Sequence, residues 1–141
     1  MTRSVYSSGY SIKASRWSTP STAHSVLPWG VASYTRWPWF AGIRDALNHA
    51  GLAVEVFSAI DANPSSEHVS AGLLAARGHR ADGLVALGGG SAMDAGKCIA
   101  LLANNPNEIL KYENVGDNWQ AADGRKILTT IAIPTTAGTG S

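Results

Sequence analysis

From residue 41 onward the apolar positions settle into a repeating change of period. Ile43, Ala46, Leu47 and Ala50 recur at helical spacing, and Gly51 follows where a C-terminal cap belongs. Residues 52–57 (LAVEVF) alternate as a short strand does. The run Asp61-Ala62-Asn63-Pro64 predicts a loop, with Asn63 as N-cap and Pro64 at the first helical position. Val69, Leu73 and Ala76 then give a helix its apolar face, and Gly78 ends it. Leu84, Val85, Ala86 and Leu87 are consecutive apolar residues, the mark of a strand buried on both faces. After a glycine turn, Ala92, Ala95, Ile99 and Leu102 form the inward stripe of a further helix. Residues 104–126 are polar, with turn signals at Asn105-Pro106 and Asp123-Gly124 and a short helix expected near residues 108–112. Residues 127–133 (ILTTIAI) are rich in β-branched side chains and read as a strand. Helix and strand alternating in this rhythm predict an α/β fold, a parallel sheet with helices on both faces.

The first forty residues break that pattern. Neither a 3.6 nor a 2.0 period persists across them, so no strand is expected there. They hold Trp17, Trp29, Trp37 and Trp39, together with Arg3, Lys13, Arg16 and Arg36, but no carboxylate; Asp45 is the first. Residues 1–40 are therefore expected to be an irregular leader, disordered or non-native, and residues 41–141 the folded part. An altered reading frame upstream of about residue 41 would produce so abrupt a change of composition.

Composition narrows the function classes. A chain of 141 residues has the length of one ordinary domain. A formal net charge of +1 gives no global attraction to nucleic acid or to a membrane surface, and the basic residues of the aromatic-rich leader are too sparse to suggest a single-strand binding track. The one cysteine, Cys98, excludes an intrachain disulfide and a cysteine-cluster zinc site, and its place in a helix reads as core filler. No apolar run approaches the roughly 18 residues of a membrane span, and the N-terminus lacks the apolar stretch of a secretory signal. A cytoplasmic location is the expectation.

Candidate chemistry sits in the turn after the buried strand. Gly88, Gly89 and Gly90 let backbone approach an anion with no Cβ in the way. Ser91 is expected as the N-cap, with Asp94 three residues on completing a capping-box pattern. The N–H groups of a first helical turn and the helix dipole favour a negative ligand by roughly 0.3–2 kcal/mol. A merely structural strand-to-helix turn is the rival reading. Two named phosphate motifs fail here: G-x-G-x-x-G lacks its last glycine, and a P-loop would need other residues where Ser91 and Cys98 flank Gly96-Lys97. Gly96 inside the helix costs about 1 kcal/mol against alanine and reads as close packing. Lys97 shares a helix face with Asp94, which accounts for both as an ion pair. The second candidate is the loop Pro134-Thr135-Thr136-Ala137-Gly138-Thr139-Gly140-Ser141, at the carboxyl end of its strand, where open α/β sheets bind ligands. If the two strands are neighbours, both turns face one crevice.

Two segments carry a family resemblance. LGGGSAMDAGK at 87–97 resembles the GGGSxxDxxK motif of the iron-containing (group III) alcohol dehydrogenases, and IPTTAGTGS at 133–141 is similar to their second signature. DANPSSEHVSAGL and ADGLVALGGGS match the family's approach to the first motif, so the resemblance runs from about residue 41 to 141. It implies a Rossmann-like, dehydroquinate-synthase-like N-terminal domain binding NAD or NADP, here incomplete. It also implies a C-terminal helical domain holding Fe²⁺ or another divalent metal, which this chain is expected to lack. Carried over by residue, Gly88, Gly89, Gly90 and Ser91 would cradle the pyrophosphate. Asp94 would sit near the nicotinamide half, and Thr135, Thr136 and Thr139 would line the cofactor cleft. The substrate implied is a small primary alcohol or aldehyde, and a homo-oligomer is compatible with the family. No catalytic residue is assignable, and the family's metal ligands would fall beyond Ser141. His24, His49, His68 and His79 show no shared-face spacing and are not read as ligands. Such a chain is expected to be inactive alone and to bind nucleotide weakly. The alternatives are a nucleotide-binding remnant without catalysis and a fragment of a dehydroquinate-synthase-like lyase. The family's opening strand, ending in an acid that contacts the adenosine ribose, is not expected in residues 1–40.

Overall fold

The computed structural model describes residues 23–30 and 38–137. Four strands form one sheet: β1 (Ala23–Gly30), β2 (Leu52–Ile60), β3 (Gly83–Gly88) and β4 (Thr129–Pro134). Helices α1 (Pro38–His49), α2 (Ser66–Gly78) and α3 (Gly90–Leu102) connect them, and three short 3-10 turns lie between α3 and β4. The strand order is β2-β1-β3-β4, with every pair parallel. This is the expected α/β sheet, and β1 corrects the expectation of no strand before residue 41. It lies inside the sheet, between β2 and β3, and α1 already begins at Pro38. Residues 1–22 and 31–37 of the expected leader lie outside the described residues.

Two apolar layers sandwich β3. Leu84 and Ala86 pack with Val69 and Ala76 of α2 and Ile99 and Leu102 of α3. Val85 and Leu87, pointing the other way, pack with Phe40, Ile43 and Leu47 of α1. So α2 and α3 cover one face and α1 the other, which is why the β3 sequence is apolar without alternation. Gly72 brings α2 close to its neighbours: a Cβ there would stand 3.0 Å from Phe57 Cε1 and closer still to Ile99 Cδ1.

The start of α2 differs from the sequence reading. Helix α2 starts two residues later than expected, with Ser65 as N-cap. Asn63 instead takes a left-handed φ of 57°, so Pro64 precedes the helix rather than opening it. The C-terminus of α2 closes with Ala81 N–H donating to Ala76 O at 2.9 Å and Arg80 N–H to Arg77 O at 3.0 Å, a Schellman arrangement. After α3, buried Asn105 donates to Leu101 O at 2.9 Å and accepts from Asp123 N–H at 2.9 Å. It is therefore a pin between α3 and the far end of the polar loop. The 3-10 turn Ile109–Tyr112 matches the short helix expected there, and β4 begins at Thr129, two residues later than its apolar run.

Candidate functional site

Strand β3 pairs with β4 from Gly83↔Thr129 to Gly88↔Pro134, so their carboxyl ends lie side by side. Beyond them, Thr135 N–H donates to Gly88 O at 2.9 Å, which binds the β4 loop to the glycine turn. A Cβ on Gly89 would stand 3.4 Å from Thr136 Oγ1. The two glycine- and hydroxyl-bearing turns thus meet.

Gly88 has a φ of +147°, and a Cβ there would come within 2.8 Å of Ala92 Cβ. Conformation and space both demand glycine at this point. Gly89, not Ser91, is the N-cap of α3, with extended backbone and no side-chain cap. Glycine is an acceptable N-cap, and it leaves the first-turn N–H groups without an oxygen from the protein's own cap. No acidic residue stands in that first turn. Ser91 lies inside the helix, where its Oγ accepts from Asn63 N–H at 3.3 Å. The loop after β2 therefore joins the loops after β3 and β4 at the same end of the sheet.

Asp94 pairs with Lys97 Nζ at 3.1 Å on an exposed face, as their spacing predicted, and caps nothing. Cys98 is half-buried against the α2–α3 core, and burial pushes its thiol up from its ordinary value, with Asp94 adding to the effect. Gly90, Ser91, Thr135 and Thr136 all fall at the carboxyl end of the sheet; Thr139 and Gly138 lie outside the described residues. The sequence reading missed the part played by Asn63, for which the Asn63-Pro64 turn signal was the available clue.

The sheet order adds a reason to look here. The chain leaves β1 toward β2 on one side and returns past β1 to β3 and β4 on the other. Open α/β sheets bind ligands at such a reversal, outside the carboxyl ends of the strands. Two cavities lie elsewhere. One of about 290 Å³ is lined by Arg77, Arg80 and Asn104, and one of about 680 Å³ by Leu74, Pro106 and Leu110. Neither includes a residue of the glycine turn. Among the described residues no group of three or more His, Cys, Asp or Glu could hold a metal ion, and no helix is long and apolar enough to cross a membrane.

Comparison with known proteins points the same way. The family model for iron-containing alcohol dehydrogenase matches residues 20–141. Alcohol dehydrogenase 4 of Saccharomyces cerevisiae is 40% identical over 99 residues, covering 70% of this chain and 25% of that protein. The crystal structure of the archaeal halo-thermophilic Red Sea brine pool alcohol dehydrogenase superposes with a TM-score of 0.73 at 31% identity, over 85% of this chain and 31% of that one. Sulfoacetaldehyde reductase from Bifidobacterium kashiwanohense, solved in complex with NAD+, gives a TM-score of 0.62 at 31% identity, over 84% of this chain and 30% of that one. The chain thus spans between a quarter and a third of the length of these relatives. The family match begins at residue 20, well before the limit of about 41 expected from the motifs.

Proposed function

Because this chain belongs to the iron-containing alcohol dehydrogenase family, we propose that its residues form the nucleotide-binding part of an NAD(P)-dependent dehydrogenase acting on a small alcohol or aldehyde. The observation that carries the reading is the Thr135 N–H to Gly88 O bond at 2.9 Å, which joins the threonine loop to the glycine turn beside the α3 N-terminus.

In this reading the N–H groups of Gly90 and Ser91, at the positive end of α3, receive the pyrophosphate, with Gly88 and Gly89 allowing its close approach. Ser91 Oγ accepts from Asn63, so its hydroxyl proton is directed elsewhere and is available to a phosphate oxygen. Thr135 and Thr136 line the cleft, the family motif assigns Thr139 to the same role, and Asp94 lies toward the nicotinamide half. The nicotinamide, when bound, supplies the hydride acceptor or donor. The described residues do not fit a metal: His49 ends α1, His68 and His79 stand at opposite ends of α2, and no group of three or more His, Cys, Asp or Glu comes together. They bind nucleotide and do not by themselves turn over an alcohol. The relatives named above are dehydrogenases and a reductase, which favours this reading over a lyase.

Titration of the chain with NADH, followed by nicotinamide fluorescence and by displacement with pyrophosphate, tests the proposal. Saturable binding weaker than micromolar, competed by pyrophosphate, is expected. NADH binding that pyrophosphate leaves untouched, or no saturation, would overturn it.

A further inference from the structure

The loop after β2 is held by an arrangement that the nucleotide reading does not use. His68, in the first turn of α2, accepts the Ser65 N–H at its Nδ1 at 3.0 Å. Its other nitrogen, Nε2, lies 3.4 Å from Asp61 Oδ2. Since Nδ1 accepts, the proton of the neutral ring is on Nε2 and faces that carboxylate. Both partners of the ring belong to the 61–65 segment, at its two ends. Between them Asn63, with a φ of 57°, presents its N–H to Ser91 Oγ at 3.3 Å. A chain of contacts therefore runs from the imidazole to the hydroxyl beside the glycine turn.

We propose that His68 is a positioning residue for the phosphate site, its unprotonated Nδ1 fixing the 61–65 loop so that Asn63 orients the Ser91 hydroxyl. The proposal rests on the nucleotide-binding reading for its functional consequence, though not for its structural one. Ser65 Oγ also lies 2.9 Å from Nδ1, so the ring is tied to the N-cap residue of α2 twice and to Asp61 once. One side chain thus fixes both ends of the 61–65 loop, and the loop presents the Asn63 N–H to Ser91 Oγ.

Amide hydrogen exchange on the intact chain tests the structural half without any ligand. Protection of the Ser65 and Asn63 amides should fall about fivefold to tenfold in His68→Ala, the scale of one lost cap. His68→Gln, whose amide oxygen can accept the same N–H, should keep both amides protected, and Ser91→Ala should open Asn63 alone. NADH affinity should follow the Asn63 amide, and the effect of His68→Ala should vanish on a Ser91→Ala background. Unchanged protection in His68→Ala, or an Asn63 amide as open in His68→Gln as in His68→Ala, overturns the positioning role. If His68→Ala does not fold, His68→Leu, which fills the space without an acceptor, takes its place with the same two outcomes. Amides that behave as described in a chain that binds no NADH would uphold the loop device and refute the nucleotide reading instead.

Discussion

At Gly88 a side chain is excluded twice, by a φ of +147° and by Ala92 Cβ standing 2.8 Å from where a Cβ would be. Gly88→Ala should therefore destabilise the chain by about 1–3 kcal/mol through backbone strain and overpacking. It should also abolish NADH binding, because the turn must open to accept the methyl group; thermal unfolding and fluorescence titration check the two effects. A variant as stable as the parent would show that the turn relaxes freely. The glycines themselves are plain in the sequence, but their division of labour is not. Three successive glycines leave the helix start undetermined, and Ser91 looks like the cap only because serine is the stronger capping residue. The helix begins two residues earlier, which puts Ser91 in reach of Asn63. A contact between residues so far apart in the chain carries no local signature.

The elements were legible in proportion to their periodicity. Helices α2 and α3 and strand β3 show in the sequence because their apolar faces are long and unbroken. Strand β1 does not: its apolar pair Val26 and Leu27 is flanked by Ser25 and Pro28, and proline argues against a central strand. The structure accommodates it with a ladder to β3 of only Ser25↔Gly83 and Val26↔Leu84, ending before Pro28, and an irregular register to β2 between Pro28 and Gly30. The burial of Asn105 is illegible for a related reason, since Asn-Pro signals a turn whether or not the asparagine is buried. Within α2, two glycines should respond oppositely to the same change. Gly72→Ala forces a methyl group against Phe57 and Ile99 and should cost about 1–3 kcal/mol. Gly78→Ala meets nothing within 4 Å and should gain about 0.5–1 kcal/mol from helix propensity alone. Urea midpoints of the two variants on either side of the parent would confirm the α2–α3 packing; midpoints shifted the same way would contradict it.

At the scale of the molecule, the described sheet ends at β2 on one side and β4 on the other. Among the described residues strand β4 pairs with β3 alone, and it carries Ile131 at 48% exposure in the middle of that edge. An unpaired edge with an exposed β-branched residue is a template for pairing with another chain. The 141-residue chain should self-associate with rising concentration, and Ile131→Lys should suppress this without lowering the unfolding temperature; sedimentation at several concentrations checks it. The architecture as a whole was readable because alternating helices and strands allow few arrangements, whereas the strand order needed coordinates: nothing local says that β1 lies between β2 and β3. That order is what brings the loops after β2, β3 and β4 to one end, and the functional reading depends on it. The most direct measurement is the map of backbone amide shifts on adding NADH. Changes centred on Gly88, Gly89, Gly90, Ser91, Thr135 and Thr136, and extending to Asn63, are expected. Changes confined to the cavity beside Arg77 and Asn104 or to the groove at Leu74 and Leu110, with the glycine turn silent, would contradict the functional reading.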